Sequence, residues 1–524
     1  MFLSSCGSPK GSDEQKELNF SMDSSPVTID PQLVSDTGSS MVVKFFTSTL
    51  YEYNQDRELV PGLADSFEES DDGLKVTYHL KNGIKWSDGN EITAEDFVCG
   101  FQRLADPETK SNSVYLMTDC CMVKNAQQVS TGKMPVSELG VSAPDHKTFV
   151  VELEQPCPYL NSLFSLTTFS PCSRDFLGSC GDEYATKPDT VLSSGPYILD
   201  RYEPIASQIH LYKNPYYYGA DKIEMQGINI QVVGDTQQAM MCYESGALDI
   251  IRVSGELAEL AEGDEELESF STAAVYKLEL NHKTNKFLKN RNIRLALAKS
   301  IDRESIAKNV LRLGYLPMTR VIPTGFYKED NGNDFAQDAA MYDEYMKCDA
   351  EQAAQYWAKG LSEVGESSAK LDICCNSAYS KVVEAIKQQA EKTLPGLEIT
   401  ITVLPPKEWM QKLSEGTGYD IILNSWVADY SDPTALFQSC LNTENTNGYS
   451  SDEFSELYSR SITARGAQRD SILHDAETLL MKDVALIPLF SGESCYLVAN
   501  GVSGLHLSPT GSEPIVTGFK KEMK

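Results

Sequence analysis

The sequence predicts an α/β protein of two or three domains. The chain has 524 residues, several times the usual size of one domain. Residues 371–375 form a short apolar run, residues 380–393 are predicted to be helical, and residues 397–404 form a second strand candidate. This strand–helix–strand order indicates a βαβ unit. The sequence contains no apolar run long enough to span a membrane.

Composition limits the classes of ligand. Apolar residues make up 41% and charged residues 23% of the chain, as is usual for a soluble globular protein. The formal net charge of −31 disfavours nucleic acid and anionic membrane surfaces as partners. It permits cationic or zwitterionic ligands, although an acidic surface that keeps the protein soluble is the simpler explanation.

The first residues predict a lipid anchor. Residues 3–7 (LSSCG) match the lipobox of bacterial lipoproteins, in which the cysteine, here Cys6, becomes the lipidated N-terminus. The five residues before Cys6 are too few for a complete signal peptide, so the true start lies upstream or the signal has been removed. Residues 7–17 contain no apolar side chain and are predicted to be a flexible tether. An acyl anchor tethers a protein to the membrane without spanning it.

The other cysteines and the six histidines form no metal-binding pattern. The pairs 120–121 and 374–375 are adjacent, and no C-x-x-C occurs. We interpret most of these thiols as small buried apolar groups. A disulfide between Cys172 and Cys180 stays open at this stage. No metal and no cofactor are predicted.

Several elements are predicted from local pattern. Residues 18–20 are a strand candidate, and 73–80 alternate with the period of two expected of a strand. Thr93 is the predicted N-cap of the next helix, with Asp96 at its third position. A further helix is predicted over 237–249, followed by a strand.

The strongest candidate for a binding site follows the apolar run 421–423, which we interpret as a buried strand. Asp432-Pro433 marks a turn and the start of a helix, so Trp426 and Asp429 are predicted to lie where the strand gives way to a loop. Ligands of α/β proteins bind at such strand ends. An apolar indole and a fixed carboxylate suit a ligand with a cationic end and an apolar body. The alternative is a structural Trp beside a helix-capping Asp.

Motifs for enzymatic chemistry are missing from the sequence. It contains no G-x-S-x-G, H-E-x-x-H, P-loop or G-x-G-x-x-G pattern. Carboxylates are so frequent that no single pair indicates an acid and a base. The protein is therefore predicted not to be an enzyme, and a secreted hydrolase is a weaker alternative. A cytoplasmic structural protein fits less well because of the lipobox-like start.

A series of motifs occurs in a fixed order along the chain. They are Pro-Gly-Leu-Ala at 61–64, Ile-Lys-Trp-Ser-Asp-Gly at 84–89, Thr-Ala-Glu-Asp-Phe at 93–97, Ser-Gly-Pro-Tyr at 194–197, Lys-Asn-Pro-Tyr at 213–216 and Trp-Val-Ala-Asp-Tyr-Ser-Asp-Pro at 426–433. This order resembles the family 5 solute-binding proteins, the oligopeptide-binding (OppA-like) receptors of bacterial ABC importers.

The resemblance implies a two-lobed, periplasmic-binding-protein-like (type II) α/β fold with three domains and a hinge between the lobes. The implied divisions are a lipobox remnant and tether (1–17), a discontinuous domain I (18–48, 168–273 and 491–524), an inserted domain II (49–167) and domain III, which is the second lobe (274–490). The chain is expected to cross between the lobes near residues 273 and 490.

The resemblance also implies the ligand-binding residues. Asp429 is expected to meet the α-ammonium of a peptide, and the preceding strand residues to line the site. The residues implied to bind ligand are Asp429, Trp426, Val427, Ala428, Ser35, Asp36, Thr37, Tyr115 and Trp409. Some relatives place basic residues shortly before the Trp to meet the peptide carboxylate, whereas the comparable positions here are Ser414, Leu423 and Asn424.

The implied function is capture of oligopeptides in a closing cleft and delivery to the permease subunits of an ABC transporter. The protein is expected to be a monomer outside the cytoplasm, lipid-anchored to the cell membrane. The sequence leaves open a family 5 receptor for another ligand, namely a metal chelate, haem or a glycan.

Overall fold

A computed structural model describes residues 16–202, 208–441, 446–511 and 513–522. Cys6 and nearly all of the predicted tether lie outside the described residues. None of the helices in these ranges combines the length and the apolar character needed to cross a membrane.

The strands of the described residues are short, apart from two. They are β1 (Glu17–Met22), β2 (Tyr51–Tyr53), β3 (Leu59–Pro61), β4 (Ala64–Glu69), β5 (Lys75–Leu80), β6 (Val141–Asp145), β7 (Thr148–Glu152), β8 (Tyr197–Arg201), β9 (Gln208–Lys213), β10 (Gly227–Val232), β11 (Ile250–Val253), β12 (Leu267–Leu280), β13 (Tyr315–Pro317), β14 (Ala369–Asn376), β15 (Leu397–Leu404), β16 (Ile421–Val427), β17 (Leu486–Val498), β18 (Val502–Ser503) and β19 (Lys520–Lys521).

The α-helices of the described residues lie singly or in groups between these strands. They are α1 (Thr37–Phe46), α2 (Ala94–Ala105), α3 (Ala126–Ser130), α4 (Leu160–Leu163), α5 (Arg174–Cys180), α6 (Thr236–Glu244), α7 (Gly255–Leu260), α8 (Arg291–Lys299), α9 (Arg303–Ile306), α10 (Asp343–Met346), α11 (Ala350–Val364), α12 (Ser380–Thr393), α13 (Pro406–Glu415), α14 (Pro433–Phe437), α15 (Asp452–Thr463) and α16 (Gly466–Asp483). Two π-helical segments occur at Leu116–Cys120 and Ala307–Leu311.

One large mixed sheet runs through the molecule, in the order β15-β14-β16-β12-β17-β11-β1-β10-β9-β8, with β13 paired to β17. The long strands β12 and β17 are antiparallel neighbours at its centre. The first half of β12 pairs with the second half of β17, which also pairs with β11, whereas the second half of β12 pairs with β16. A register shift between Ser271 and Val275 separates the two halves. β12 and β17 each run through both halves of the sheet, and the crossings between lobes near 273 and 490 stay predictions.

Strands from both halves of the sheet end towards its centre. β11 begins opposite Val498 and ends opposite Cys495, and β16 begins opposite Leu280 and ends opposite Ala274. Both strands thus run towards the register shift between β12 and β17. The carboxyl ends of strands from the two halves face each other across this region, which is where α/β proteins bind ligands.

A second sheet, in the order β4-β5-β7-β6, lies within the predicted insert. Helix α2 packs against β6 and β7 and begins with the predicted capping box, in which the Asp96 carboxylate accepts a hydrogen bond from the Thr93 backbone N at 2.8 Å. Fully buried aromatic residues of this core include Tyr78, Phe97, Phe101, Phe149 and Phe164. The limits of domains I, II and III stay predictions.

The structure corrects two boundaries. The helix predicted over 237–249 ends at Glu244, because Gly246 has a φ of +75° that breaks the helix before β11. The strand predicted over 421–423 continues to Val427, because β12 pairs with it as far as Ala274. Trp426 is therefore a strand residue, while Asp429 lies in the following loop.

Candidate ligand-binding site

The end of β16 is exposed although its start is buried. Residues 421–424 are buried, whereas 38% of the Trp426 surface and 52% of the Val427 surface are accessible. β12 pairs with β16 along its full length, but β14 pairs with it only at Ile421 and Ile422. The backbone edge of β16 that faces away from β12 is consequently not covered by β14 at its carboxyl end. An open strand edge beside an exposed indole can accept an extended chain.

Asp429 lies two residues beyond β16 and faces Tyr115 of the predicted insert. The Tyr115 hydroxyl donates a hydrogen bond to Asp429 Oδ1 at 2.9 Å. Burial raises the pKa of the Asp429 carboxyl, and the hydrogen bond from Tyr115 acts in the opposite direction. Burial and the adjacent carboxylate both raise the pKa of Tyr115, so the phenol stays a donor. A partly desolvated carboxylate held by one phenol can bind a cation.

A different residue caps the next helix. Asp432 is the N-cap of α14 and accepts a hydrogen bond from the Thr434 backbone N at 3.0 Å. Its carboxylate also forms a buried ion pair with Arg469 at 2.8 Å. The alternative of a helix-capping aspartate therefore applies to Asp432 and is wrong for Asp429, whose carboxylate is left to face the site.

The loop that carries Asp429 is fixed against the predicted insert and against β12. The Tyr430 and Tyr159 rings stack with centroids 4.5 Å apart and an interplanar angle of 15°. The Ser431 backbone N donates to Ser162 Oγ at 3.0 Å, and the Ala428 backbone N donates to the Ala273 carbonyl at 3.2 Å. The Ala428 side chain is buried and packs in the hydrophobic core beneath the loop. These contacts hold the carboxylate in one position.

The predicted segment 35–37 lies beside the segment that carries Tyr115. Ser113 Oγ donates to the Val34 carbonyl at 2.5 Å. Ser35 and Thr37 are exposed, and Asp36 is the N-cap of α1, accepting from the Ser39 backbone N at 2.8 Å. The Asp36 side chain thus has a structural role, whereas Ser35 and Thr37 stay predicted contacts of the ligand.

Trp409 is placed differently from the prediction. Only 7% of its surface is accessible, and its Nε1 donates to the Leu423 carbonyl at 3.1 Å. The indole packs with Cys374, Tyr419 and Ile422 in a small core between α13 and the sheet. A ring buried in this way offers little surface to a ligand, so the structure supports a packing role instead of a cleft wall.

Sequence reasoning missed an aromatic cluster beside the central strands β12 and β17. Tyr276 stacks on Phe490 with centroids 4.7 Å apart, and it also contacts Tyr379 at 5.3 Å and Tyr315 at 5.7 Å. The three tyrosines are half-buried, and Phe490 is buried. We call these four residues the aromatic cluster. They come from four distant segments, and the only sequence signal was that Tyr379 follows a predicted buried strand.

The described part of the chain contains no group of His, Cys, Asp and Glu side chains suited to a metal ion. Its twelve cysteines are free, so the possible bond between Cys172 and Cys180 is not formed. Nine of them are buried, which confirms the interpretation of most of these thiols as buried apolar groups.

Comparison with known proteins identifies the family. The sequence pattern of the bacterial extracellular solute-binding proteins, family 5 (middle part), matches residues 58–448, more than half of the chain. This chain is a family 5 solute-binding protein. The dipeptide-binding protein of Lactococcus lactis subsp. cremoris is 28% identical, with 98% of this chain and 95% of that protein aligned.

Solved structures of the family share the fold. The Haemophilus influenzae OppA complex with RPPGFSPFR has a TM-score of 0.72 and 28% identity, covering 98% of this chain and 100% of that chain. MppA, a periplasmic murein tripeptide binding protein in its unliganded open form, has a TM-score of 0.84 and 24% identity, covering 97% of this chain and 98% of that chain. The expected two-lobed type II fold is confirmed. Members of family 5 are solute receptors, so the expectation that this protein is not an enzyme is confirmed as well.

Proposed function

We propose that this family 5 protein binds oligopeptides and that Asp429 holds the α-ammonium of the peptide. The observation that carries the proposal is the carboxylate of Asp429, held by Tyr115 at 2.9 Å and placed directly beyond an open strand edge. A peptide presents a cation at its first residue, followed by a backbone that alternates donors and acceptors. The site presents matching groups in the same order.

The backbone of the ligand is bound by the open edge of β16. An extended peptide adds a strand to such an edge through main-chain hydrogen bonds, which do not depend on the peptide sequence. The exposed ring of Trp426 then contacts a peptide side chain. Glycans and haem carry no regular series of backbone donors and acceptors, so the open edge favours peptides over them.

The relatives support this assignment by what they bind. The L. lactis relative is a dipeptide-binding protein, and the H. influenzae OppA structure is a complex with RPPGFSPFR. By this proposal, closure of the lobes about β12 and β17 buries the peptide, and the closed form delivers it to the permease of an ABC transporter. The protein works outside the cytoplasm as a monomer anchored through lipidated Cys6.

The proposal is tested by the ligand that accompanies the purified protein. We expect native mass spectrometry to show protein carrying a bound mass, and denaturation to release peptides identified by fragmentation. A matched preparation of Asp429→Asn should carry much less peptide. Release of haem, a metal chelate or a glycan in place of peptides would contradict the proposal.

A further inference from the structure

Two free thiols, Cys99 of α2 and Cys172 of the segment before α5, are buried against each other. Only 2% of the Cys99 surface and 0% of the Cys172 surface are accessible, so only a small reagent can reach them. The two residues are distant in the sequence, which left open only Cys180 as a partner for Cys172. The neighbour that Cys172 has in the fold is instead Cys99.

Backbone contacts fix the segment of Cys172 on α2 at the level of Cys99. The Cys172 backbone N donates to the carbonyl of Asp96, three residues before Cys99, at 2.9 Å. A Cβ atom on Gly100 would lie 3.5 Å from the same backbone N. It would also clash with the carbonyl oxygen of Ser170, so this segment packs directly on the helix. Positions 96, 99 and 100 share one face of a helix. Cys172 therefore lies on the face of α2 that carries Cys99.

Side chains on the next turn of α2 close around the same place. The Cys172 Sγ donates a hydrogen bond to the Tyr184 hydroxyl at 3.5 Å. The guanidinium of Arg103, one turn after Cys99, lies 4.8 Å from the centre of the Tyr184 ring. Helix residues before and after Cys99 thus contact Cys172 or its partner Tyr184. The two thiols between them are close enough for a hydrogen bond to each other.

The surroundings make Cys99 the more reactive thiol of the two. The hydrogen bond from Cys172 lowers the pKa of the Cys99 thiol, as do the positive charges of Arg174 and Arg103, whereas burial opposes them. The same hydrogen bond and burial raise the pKa of Cys172. The thiolate is the form of cysteine that reacts with oxidants. Cys99 is therefore suited to be the attacking group and Cys172 to be the resolving thiol.

We propose that Cys99 and Cys172 form an intramolecular disulfide when the protein meets a peroxide. The Cys99 thiolate attacks one oxygen of hydrogen peroxide, and this step leaves Cys99 as a sulfenic acid and releases hydroxide. The Cys172 sulfur then attacks the Cys99 sulfur, and the sulfenic hydroxyl leaves as water with the proton of the Cys172 thiol. The hydroxide takes up the proton that Cys99 lost on ionisation. The two sulfurs are oxidised by two electrons, and one peroxide is reduced to two waters.

The bond would join α2 of the predicted insert to a segment of the predicted domain I. The family is extracellular, and disulfides persist outside the reducing cytoplasm. Because the bond closes a long loop of the chain, it lowers the entropy of the unfolded state and stabilises the fold. Neither cysteine takes part in the hydrogen bond between Tyr115 and Asp429. The inference therefore does not depend on which ligand the protein binds.

The test exposes the folded full-length chain to a small excess of hydrogen peroxide. The remaining thiols are then alkylated after denaturation, and the chain is digested at acidic pH without reduction and mapped by mass spectrometry. We expect a linked pair of peptides that contains Cys99 and Cys172, with a mass lower than the sum of the two free peptides by two hydrogen atoms. Dithiothreitol should separate the pair. The midpoint of thermal unfolding should rise by several degrees on oxidation and return on reduction.

Cys180→Ala is the matched control, because it removes the partly buried thiol of the neighbouring helix. It should form the bond as wild type does, whereas Cys99→Ser and Cys99→Ala should show no linked pair and no rise in the midpoint. The mapping of wild type needs no variant, so it decides the question even where a variant does not fold. Two thiols that stay alkylated at a peroxide dose that oxidises the exposed Cys348 would overturn the proposal. Linkage of Cys172 to Cys180 or Cys157, or oxidation of Cys99 without linkage to Cys172, would overturn it as well.

Discussion

Replacing Asp429 with Asn removes the negative charge of the site and nearly preserves its shape. The amide oxygen of Asn can still accept the hydrogen bond from Tyr115, which spans 2.9 Å in the native protein. The packing of the loop, which depends on Tyr430 and Ala428, does not involve the Asp429 carboxylate. We therefore expect the variant to fold normally and to lose only its attraction for the ligand's α-ammonium.

The size of the loss in binding free energy depends on how deeply the pair of Asp429 and the peptide ammonium is buried. Truncating one partner of a buried charged pair costs about 2–5 kcal/mol. Asp429 is only partly buried in the described structure, so the lower part of this range applies. A cost of about 2–3 kcal/mol corresponds to roughly a 30- to 160-fold increase in Kd.

The assay is calorimetric titration of tetra-alanine and N-acetyl-tetra-alanine against wild type and Asp429→Asn. Acetylation removes the cation from the ligand, so the acetylated peptide should bind wild type weakly and lose little further in the variant. The loss of affinity caused by acetylation and the loss caused by Asp429→Asn are therefore not additive. Asp119→Asn is the matched control, because Asp119 is an exposed carboxylate near Tyr115 and the same charge is removed. Equal affinity in all four combinations would show that Asp429 is only a loop residue.

Four further outcomes are expected. Tyr115→Phe removes the phenol that holds Asp429 and should weaken peptide binding by about 1 kcal/mol, measured by the same titration. Affinity should fall as the pH drops through the pKa of Asp429, which lies above its ordinary value, because the neutral acid cannot pair with an ammonium. A peptide affinity that stays constant as the pH is lowered would contradict this. Phe101→Ala empties a fully buried site and should destabilise the fold by about 3–5 kcal/mol in urea unfolding. With an upstream signal sequence supplied, Cys6→Ser should move the protein from the membrane to the soluble fraction, and continued membrane association would refute lipidation.

Local pattern was sufficient to predict individual elements. The strand at 397–404 and the helix at 380–393 were predicted with the bounds observed, and the capping box of Thr93 and Asp96 is formed as expected. These features depend on side-chain spacing and on hydrogen bonds between residues a few positions apart, so the sequence carries them directly. The ordered motifs likewise sufficed to identify the family and its two-lobed fold.

The role of each candidate residue depended on packing between distant segments. Trp409 and Trp426 are the same residue type, only 17 positions apart in the sequence, yet one is buried against the sheet and the other is exposed at a strand end. The difference arises because Trp409 lies on the face of α13 that packs against the sheet, while β14 pairs with β16 only at its start and leaves the other edge of its end open. Similarly, the Asp432 carboxylate pairs with Arg469 and caps α14, whereas the Asp429 carboxylate does neither and faces the site.

The sequence by itself thus determined the family, the elements and the position of the acidic residue after β16. Only the tertiary structure decided that Tyr115 reaches Asp429, that Asp36 is a helix cap, and that four aromatic residues from distant segments form a cluster beside the central strands. Tyr115 and Asp429 are separated by 314 residues along the chain. No local pattern encodes such a contact, because it results from packing between segments that are far apart in the sequence.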